Sequence, residues 1–255
     1  MASTHDWIDT NPLGTAAGYG VNLPLDRDFT TQELGFGRTQ WSPIYAQNSR
    51  GKFELQVVDA LGQLLLDVRR MSWDLSLFTT AEFAFVELPD AYTTGSSIMP
   101  NKRNPDVVEL LRAAYGVVAG ARTELASLLG LPSGYHRDLQ NTKPPTLRAI
   151  GHALQALALI PDLLRNTEFN AEVTDAAMSE DMYATDIAVE LTASGLPFRE
   201  AYRIAAAEPE RREGRSALSS LEARTSPGGT ADPRLGKVEE RWLLASTLLS
   251  NSLLA

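Results

Sequence analysis

Apolar side chains recur at Phe53, Val57, Leu61, Leu65, Val68, Met71, Leu75 and Phe78, always three or four residues apart. That spacing lines them along one face of an α-helix and contradicts the strict alternation of a half-buried strand. The pattern predicts one long amphipathic helix over about 48–79. Val58, Leu64, Leu66 and Leu77 widen its stripe beyond what a single neighbour covers, so the helix is expected to pack on several others in a bundle core. Val108, Leu111, Tyr115, Val118, Leu125 and Leu128 mark a second helix, stopped near Leu129 by Gly130 and Pro132. Gly116 and Gly120 lie one turn apart on it and allow close approach of a partner helix. Leu147, Ile150, Leu154, Leu157, Ile160 and Leu164 mark a third, with a kink expected at Pro161. The fold class is all-α.

Around these helices the chain changes character. Gly14, Gly18, Gly20, Pro12 and Pro24 make the opening stretch loop-rich, with short helices at most. Two short helices are expected over Met182–Ser194 and Pro197–Ala207, separated by Gly195. Glu208 to Arg215 is a charged stretch read as solvated, and a last amphipathic helix is expected from about Leu235. The division is therefore a loop-rich segment over 1–37, a central helical bundle over 38–168, and a small C-terminal helical domain over 169–255.

Composition removes whole classes of function. The 255 residues carry a formal net charge of −9, which opposes nucleic acid or an anionic membrane as partner. No cysteine is present, so disulfides, thiolate chemistry and cysteine zinc sites are excluded. His5, His136 and His152 are scattered and lack metal-ligand spacing, so no metal is expected. The N-terminus has no basic start and no apolar run typical of a leader, and no run reads as long enough to span a bilayer. A cytoplasmic setting is the expectation.

The most chemically loaded stretch separates the first two long helices: Gly95-Ser96-Ser97-Ile98-Met99-Pro100-Asn101-Lys102-Arg103-Asn104-Pro105-Asp106. Glycine and paired serines supply a mobile backbone, hydroxyls and free N–H groups, and Lys102 and Arg103 add fixed positive charge. Together they make a receptacle for a carboxylate. Asn104 is expected as the cap of the next helix, Pro105 as its first residue, and Asp106 as a complement to the positive helix end. A second polar stretch, Tyr135-His136-Arg137-Asp138-Leu139-Gln140-Asn141-Thr142-Lys143, also runs into a proline-initiated helix. It is either an ordinary solvated connection or a functional loop.

The 95–106 string resembles the signature of the fumarase/aspartase superfamily, whose members eliminate fumarate from succinyl-bearing substrates. Asn11-Pro12-Leu13-Gly14, Leu25-Asp26-Arg27-Asp28 and the Tyr135–Lys143 stretch are most similar to the argininosuccinate lyase family. The resemblance implies Ser96 as catalytic base, Lys102 and Asn104 with Ser97 holding a substrate carboxylate, and Glu109 orienting a catalytic histidine. It also implies Arg27, Tyr135, Gln140 and Lys143 as substrate contacts. By its own residues, Arg27 reads equally as a surface ion-pair partner of Asp26 and Asp28, and Glu109 as a partner of Arg112 at i+3. Family members usually carry an acidic pair where this chain has Asn141-Thr142. No metal or organic cofactor is implied; the partners implied are a small-molecule substrate and a homotetramer whose sites are shared between subunits.

The family's other signature, a histidine-bearing element that supplies the acid, is expected upstream of Asn11, and Thr4-His5 does not match it. The chain is therefore expected to be the C-terminal portion of a longer or split lyase. Its rivals are another fumarate-releasing lyase, such as adenylosuccinate lyase, and a non-catalytic helical assembly fragment.

Overall fold

The computed structural model describes residues 1–254, with side chains described for 1–247. It divides into two compact units. The first comprises 1–81, 86–168 and the final helix from Leu243, and the second comprises 82–85 and 169–242.

The first unit is built on three long helices, preceded by α1 (Ala2–Ile8), α2 (Arg27–Glu33) and α3 (Pro43–Asn48). The long ones are α4 (Lys52–Phe78), α5 (Asp106–Leu128) and α6 (Lys143–Arg165). The buried residues of α4 are Val58, Leu61, Leu65, Val68, Ser72 and Leu75, a strict alternation of three and four. The predicted period is right, while the seam is displaced by one residue at Val58 and Ser72 and leaves Val57 and Met71 half-buried. Ser72 satisfies its hydroxyl by donating to the Val68 carbonyl at 2.7 Å, which makes its burial tolerable.

Helix α5 answers with Val108, Leu111, Ala114, Val118, Ala121 and Leu125, and α6 with Pro145, Ala149, Ala153, Ala156 and Leu163. The many alanines let the helices approach closely. Cross-contacts fix the direction of α5 against α4: Arg122 bonds Asp59, Arg69 lies over the Tyr115 ring, and Arg112 lies over Trp73 and bonds Ser76. As numbers rise in one helix they fall in the other, so the pair is antiparallel.

Two boundaries differ from expectation. Helix α4 does not begin at 48, because Gly51 takes a left-handed conformation (φ 81°) that separates it from α3. Helix α5 begins at Asp106, with Pro105 as its unassisted cap. Asn104 is not the cap because its backbone is already paired with Thr94, in both directions, at 3.0 and 2.8 Å. Helix α6 runs through Pro161 to Arg165. By length and hydropathy α6 and the turn before it also pass for a membrane span, contrary to the reading of run lengths. Here α6 instead buries an alanine seam in the bundle and exposes His152.

The second unit holds α7 (Ala171–Ala176), α8 (Ala184–Ala193), α9 (Phe198–Ala207) and α10 (Ala217–Glu222), and α11 (Leu235–Leu254) begins within it. Ile187 and Ala188 of α8 pack on Ala205 of α9, with Leu191 at the edge. The charged stretch after α9 is not simply solvated. Arg212, nearly buried, donates to the Ala205 and Ala206 carbonyls at the end of α9 and pairs with Asp181. It thereby supplies the C-terminal carbonyls that a helix end leaves orphaned. Arg215 grips Glu190 through two bonds of 2.7 and 2.6 Å.

Replacing Leu65 by Ala should cost about 2–5 kcal/mol in a urea titration, and the neighbouring Leu66→Ala under about 1 kcal/mol. Equal costs would mean that the seam runs elsewhere. Hydrogen bonds from Arg215 hold the Glu190 carboxyl below its ordinary range, with burial opposing. A depressed carboxyl stabilises the fold above its unfolded pKa and loses that contribution as pH falls through its folded value. Glu190→Gln should therefore destabilise the second unit at neutral pH, and the difference from wild type should begin to shrink as pH falls past the ordinary glutamate pKa of about 4.3 and close only below the depressed folded value.

Candidate functional site

The loop over 95–104 is a protrusion with a tied root. The Thr94–Asn104 backbone pair closes it, and a further bond joins Lys102 N–H to the Met99 carbonyl at 3.1 Å. Arg103 points away from the tip. Its guanidinium bonds Asp90 at 2.6 Å and the Leu88 carbonyl at 3.1 Å and reaches Glu87 at 3.4 Å, so the root is held from outside as well. The tip is open, with Ile98 86% exposed. Within it, Ser96 Oγ accepts N–H bonds from Ile98 and Met99, both 3.2 Å long. Two donors aimed at one hydroxyl oxygen favour its ionised form, which is what a serine needs to act as a base. Ser97 and Lys102 are exposed beside it, and Lys102 forms no ion pair among the described residues.

Glu109 lies in the first turn of α5, next to this root, and pairs with Arg112 at 3.5 Å. Arg112 is itself fixed by Ser76 and the Trp73 ring, so the Glu109 carboxylate has a defined position.

The other expected site residues gather elsewhere. Arg27 makes neither of the ion pairs its sequence neighbours suggested, because Asp26 caps α2 and Asp28 accepts from Thr39. Its guanidinium instead donates to the carbonyls of Leu13 and Gln40. Around it, fully buried Asn11 donates to Thr30 and Thr31 at 3.1 and 2.9 Å and pairs its backbone with Arg38 and Gln40. Tyr135 is 55% exposed and lies under the Arg50 guanidinium, 5.1 Å from it. Lys143 donates to Gln140 at 3.3 Å, across a turn anchored by buried Leu139 and Thr142.

Two groups result. Ser96, Ser97, Lys102, Asn104 and Glu109 surround the start of α5; Tyr135, Gln140 and Lys143 follow its end. Contacts of Gln47 and Asn48 with Gly134 tie α3, which follows the segment that carries Arg27, to that second end. The 23 residues of α5 separate the groups by roughly 33 Å at 1.5 Å per residue. Within one chain they do not converge.

A family model described as "Lyase" matches residues 3–120. Argininosuccinate lyases of Stenotrophomonas maltophilia (strain R551-3) and Xanthomonas campestris pv. campestris (strain B100) are each 60% identical over 240 residues, which is 94% of this chain. The chain is homologous to part of the argininosuccinate lyases. It spans 56% of the length of those two relatives. Two solved structures share the fold alone. One is an EDDS lyase in complex with formate (TM-score 0.73, 21% identity, 98% of this chain and 59% of that one). The other is a class II fumarase from Schistosoma mansoni (TM-score 0.62, 16% identity, 84% of this chain and 49% of that one). Against the argininosuccinate lyase resemblance, the sequence reading missed Arg103 as an anchor of the loop root. Its signal, a second basic residue inside the motif, was visible, but the carboxylates it meets lie 13 and 16 residues away.

Arg103→Ala should speed amide exchange at Thr94 and Asn104 about two- to fivefold, the loosening expected from losing exposed ion pairs worth roughly 0.5–1 kcal/mol. Arg103→Lys should recover part of the protection. Unchanged exchange in the alanine variant would show the backbone pair suffices.

Proposed function

We propose that this chain is part of an argininosuccinate lyase, releasing fumarate from argininosuccinate to leave arginine. The observation that carries the reading is Ser96 Oγ under two N–H donors at a tied loop root, in a chain 60% identical to argininosuccinate lyases.

The reaction removes a weakly acidic proton beside a carboxylate and then breaks the neighbouring C–N bond. Ser96 takes the proton, and Lys102 and Asn104, with Ser97, stabilise the doubly negative carboxylate that results. The electron pair then forms the fumarate double bond as the guanidino nitrogen departs with a proton from an acid. Glu109 orients that acid, the histidine expected on an element upstream of Asn11. Arg27, Tyr135, Gln140 and Lys143 hold the rest of the substrate. No metal or organic cofactor takes part.

The two groups of residues lie a helix length apart, so a complete site draws on more than one copy, in a cytoplasmic homotetramer. The outward apolar residues of the bundle support such association. Leu64, Trp73 and Leu77 of α4 and Leu147 and Leu154 of α6 stay exposed in one chain, with Leu154 at 60%. In this reading residues 1–37 carry a substrate contact, 38–168 the bundle and loop, and 169–255 a small C-terminal helical domain.

Ultraviolet detection of fumarate tests the proposal. The purified chain is assayed with argininosuccinate, alone and mixed with an N-terminal lyase fragment bearing the acid histidine. Release on mixing, reduced about a hundredfold or more by Ser96→Ala, is the expected result. Release from adenylosuccinate instead would reassign the substrate, and no release from either mixture would sink the catalytic reading.

A further inference from the structure

Where α4 begins and α5 ends, the first unit forms an open-mouthed cavity of about 270 Å3. Its lining mixes the cations Arg50 and Lys52 with neutral polar groups and with Leu129, Leu131, Pro132 and Leu139. Not one Asp or Glu lines it, although the chain as a whole carries a net charge of −9.

The cavity has a fixed frame. Gly134 N–H donates to Asn48 Oδ1 at 3.0 Å, and Gln47 Nε2 donates to the Gly134 carbonyl at 3.4 Å, joining the loop before Tyr135 to the end of α3. Gly51 sits so close to this lining that a Cβ there would lie 2.4 Å from Leu129 Cδ2. The two cations on either side of Gly51 thus flank a tightly packed point of backbone. Lys52 Nζ is held at 3.3 Å from the Tyr45 hydroxyl and 5.4 Å from the Trp7 ring centre.

Arg50 is half-buried and oriented by the Tyr135 ring, yet among the described residues its guanidinium donates no hydrogen bond and meets no carboxylate. A positioned guanidinium with unused donors matches the planar fork of a carboxylate. The leucine and proline side chains of the lining reward an aliphatic chain, which an inorganic anion lacks.

We propose that this cavity binds a small aliphatic carboxylate, with Arg50 taking the carboxylate, Lys52 adding positive charge, and the hydrocarbon lying on Leu129, Leu131 and Pro132. Because Arg50 carries the Tyr135 ring, an occupant fixes that ring as well. The proposal reaches beyond the lyase reading and stands without it, since binding is read in the absence of turnover.

The test is calorimetric titration of the whole chain with glutarate, its neutral isostere glutaramide, and inorganic phosphate, with tryptophan fluorescence followed in parallel because Trp7 adjoins Lys52. Glutarate should bind one per chain and the other two at least about tenfold more weakly. Arg50→Ala and Arg50→Gln should each weaken glutarate about tenfold or more, with unchanged far-ultraviolet circular dichroism. Arg69→Ala, which removes an α4 arginine that also lies over a tyrosine ring, should bind glutarate as wild type does. Absence of glutarate binding, binding unaltered in both Arg50 variants, or phosphate binding as tight as glutarate would overturn the assignment.

Discussion

The burial of one seam on α4 against α5 and α6 is the constraint from which the rest follows. Its three-four spacing forces the helices to run side by side over their whole length. Because α5 returns antiparallel to α4, each loop is committed to one end of the bundle. The loop over 95–104 lies at one end, and the Tyr135 segment lies at the other with the opening segment. A rigid rod roughly 33 Å long then keeps them apart, and no rearrangement of loops inside one chain closes that distance.

Each end is organised as a firm root bearing an exposed working surface. At the first, the Thr94–Asn104 pair and Arg103 hold the root while Ser96, Ser97 and Lys102 stand in solvent. At the second, buried Asn11, Leu139 and Thr142 fix the backbone while Tyr135 stays open. Such a division lets the exposed tip rearrange while its attachment stays fixed. Two backbone N–H groups are already aligned on Ser96 Oγ.

Arginine has several physical uses in this chain. Arg27 and Arg212 serve carbonyls that would otherwise lack donors, Arg112 fixes Glu109, and Arg103 ties a loop. Arg50 stands apart, oriented by an aromatic ring and facing a cavity without acids. In a protein of acidic net charge, local positive potential of this kind attracts small anions without inviting nucleic acid.

Sequence by itself determined the all-α class, the period and approximate ends of the three long helices, and the loop chemistry, because spacing along the chain dictates which side chains share a helix face. It also carried the argininosuccinate lyase resemblance, since the loop motif is contiguous. Other features depend on residues distant in the chain. The exact seam at Val58 and Ser72, the loss of Asn104 as a cap to its pairing with Thr94, and the capture of Arg212 by the end of α9 were settled by competition for partners. Only the tertiary structure decided that the expected site residues form two groups. The length of α5 itself puts a helix between Ser96 and Tyr135, while the packing of α3 onto Gly134, which no local pattern encodes, decides which end the residues before α3 join.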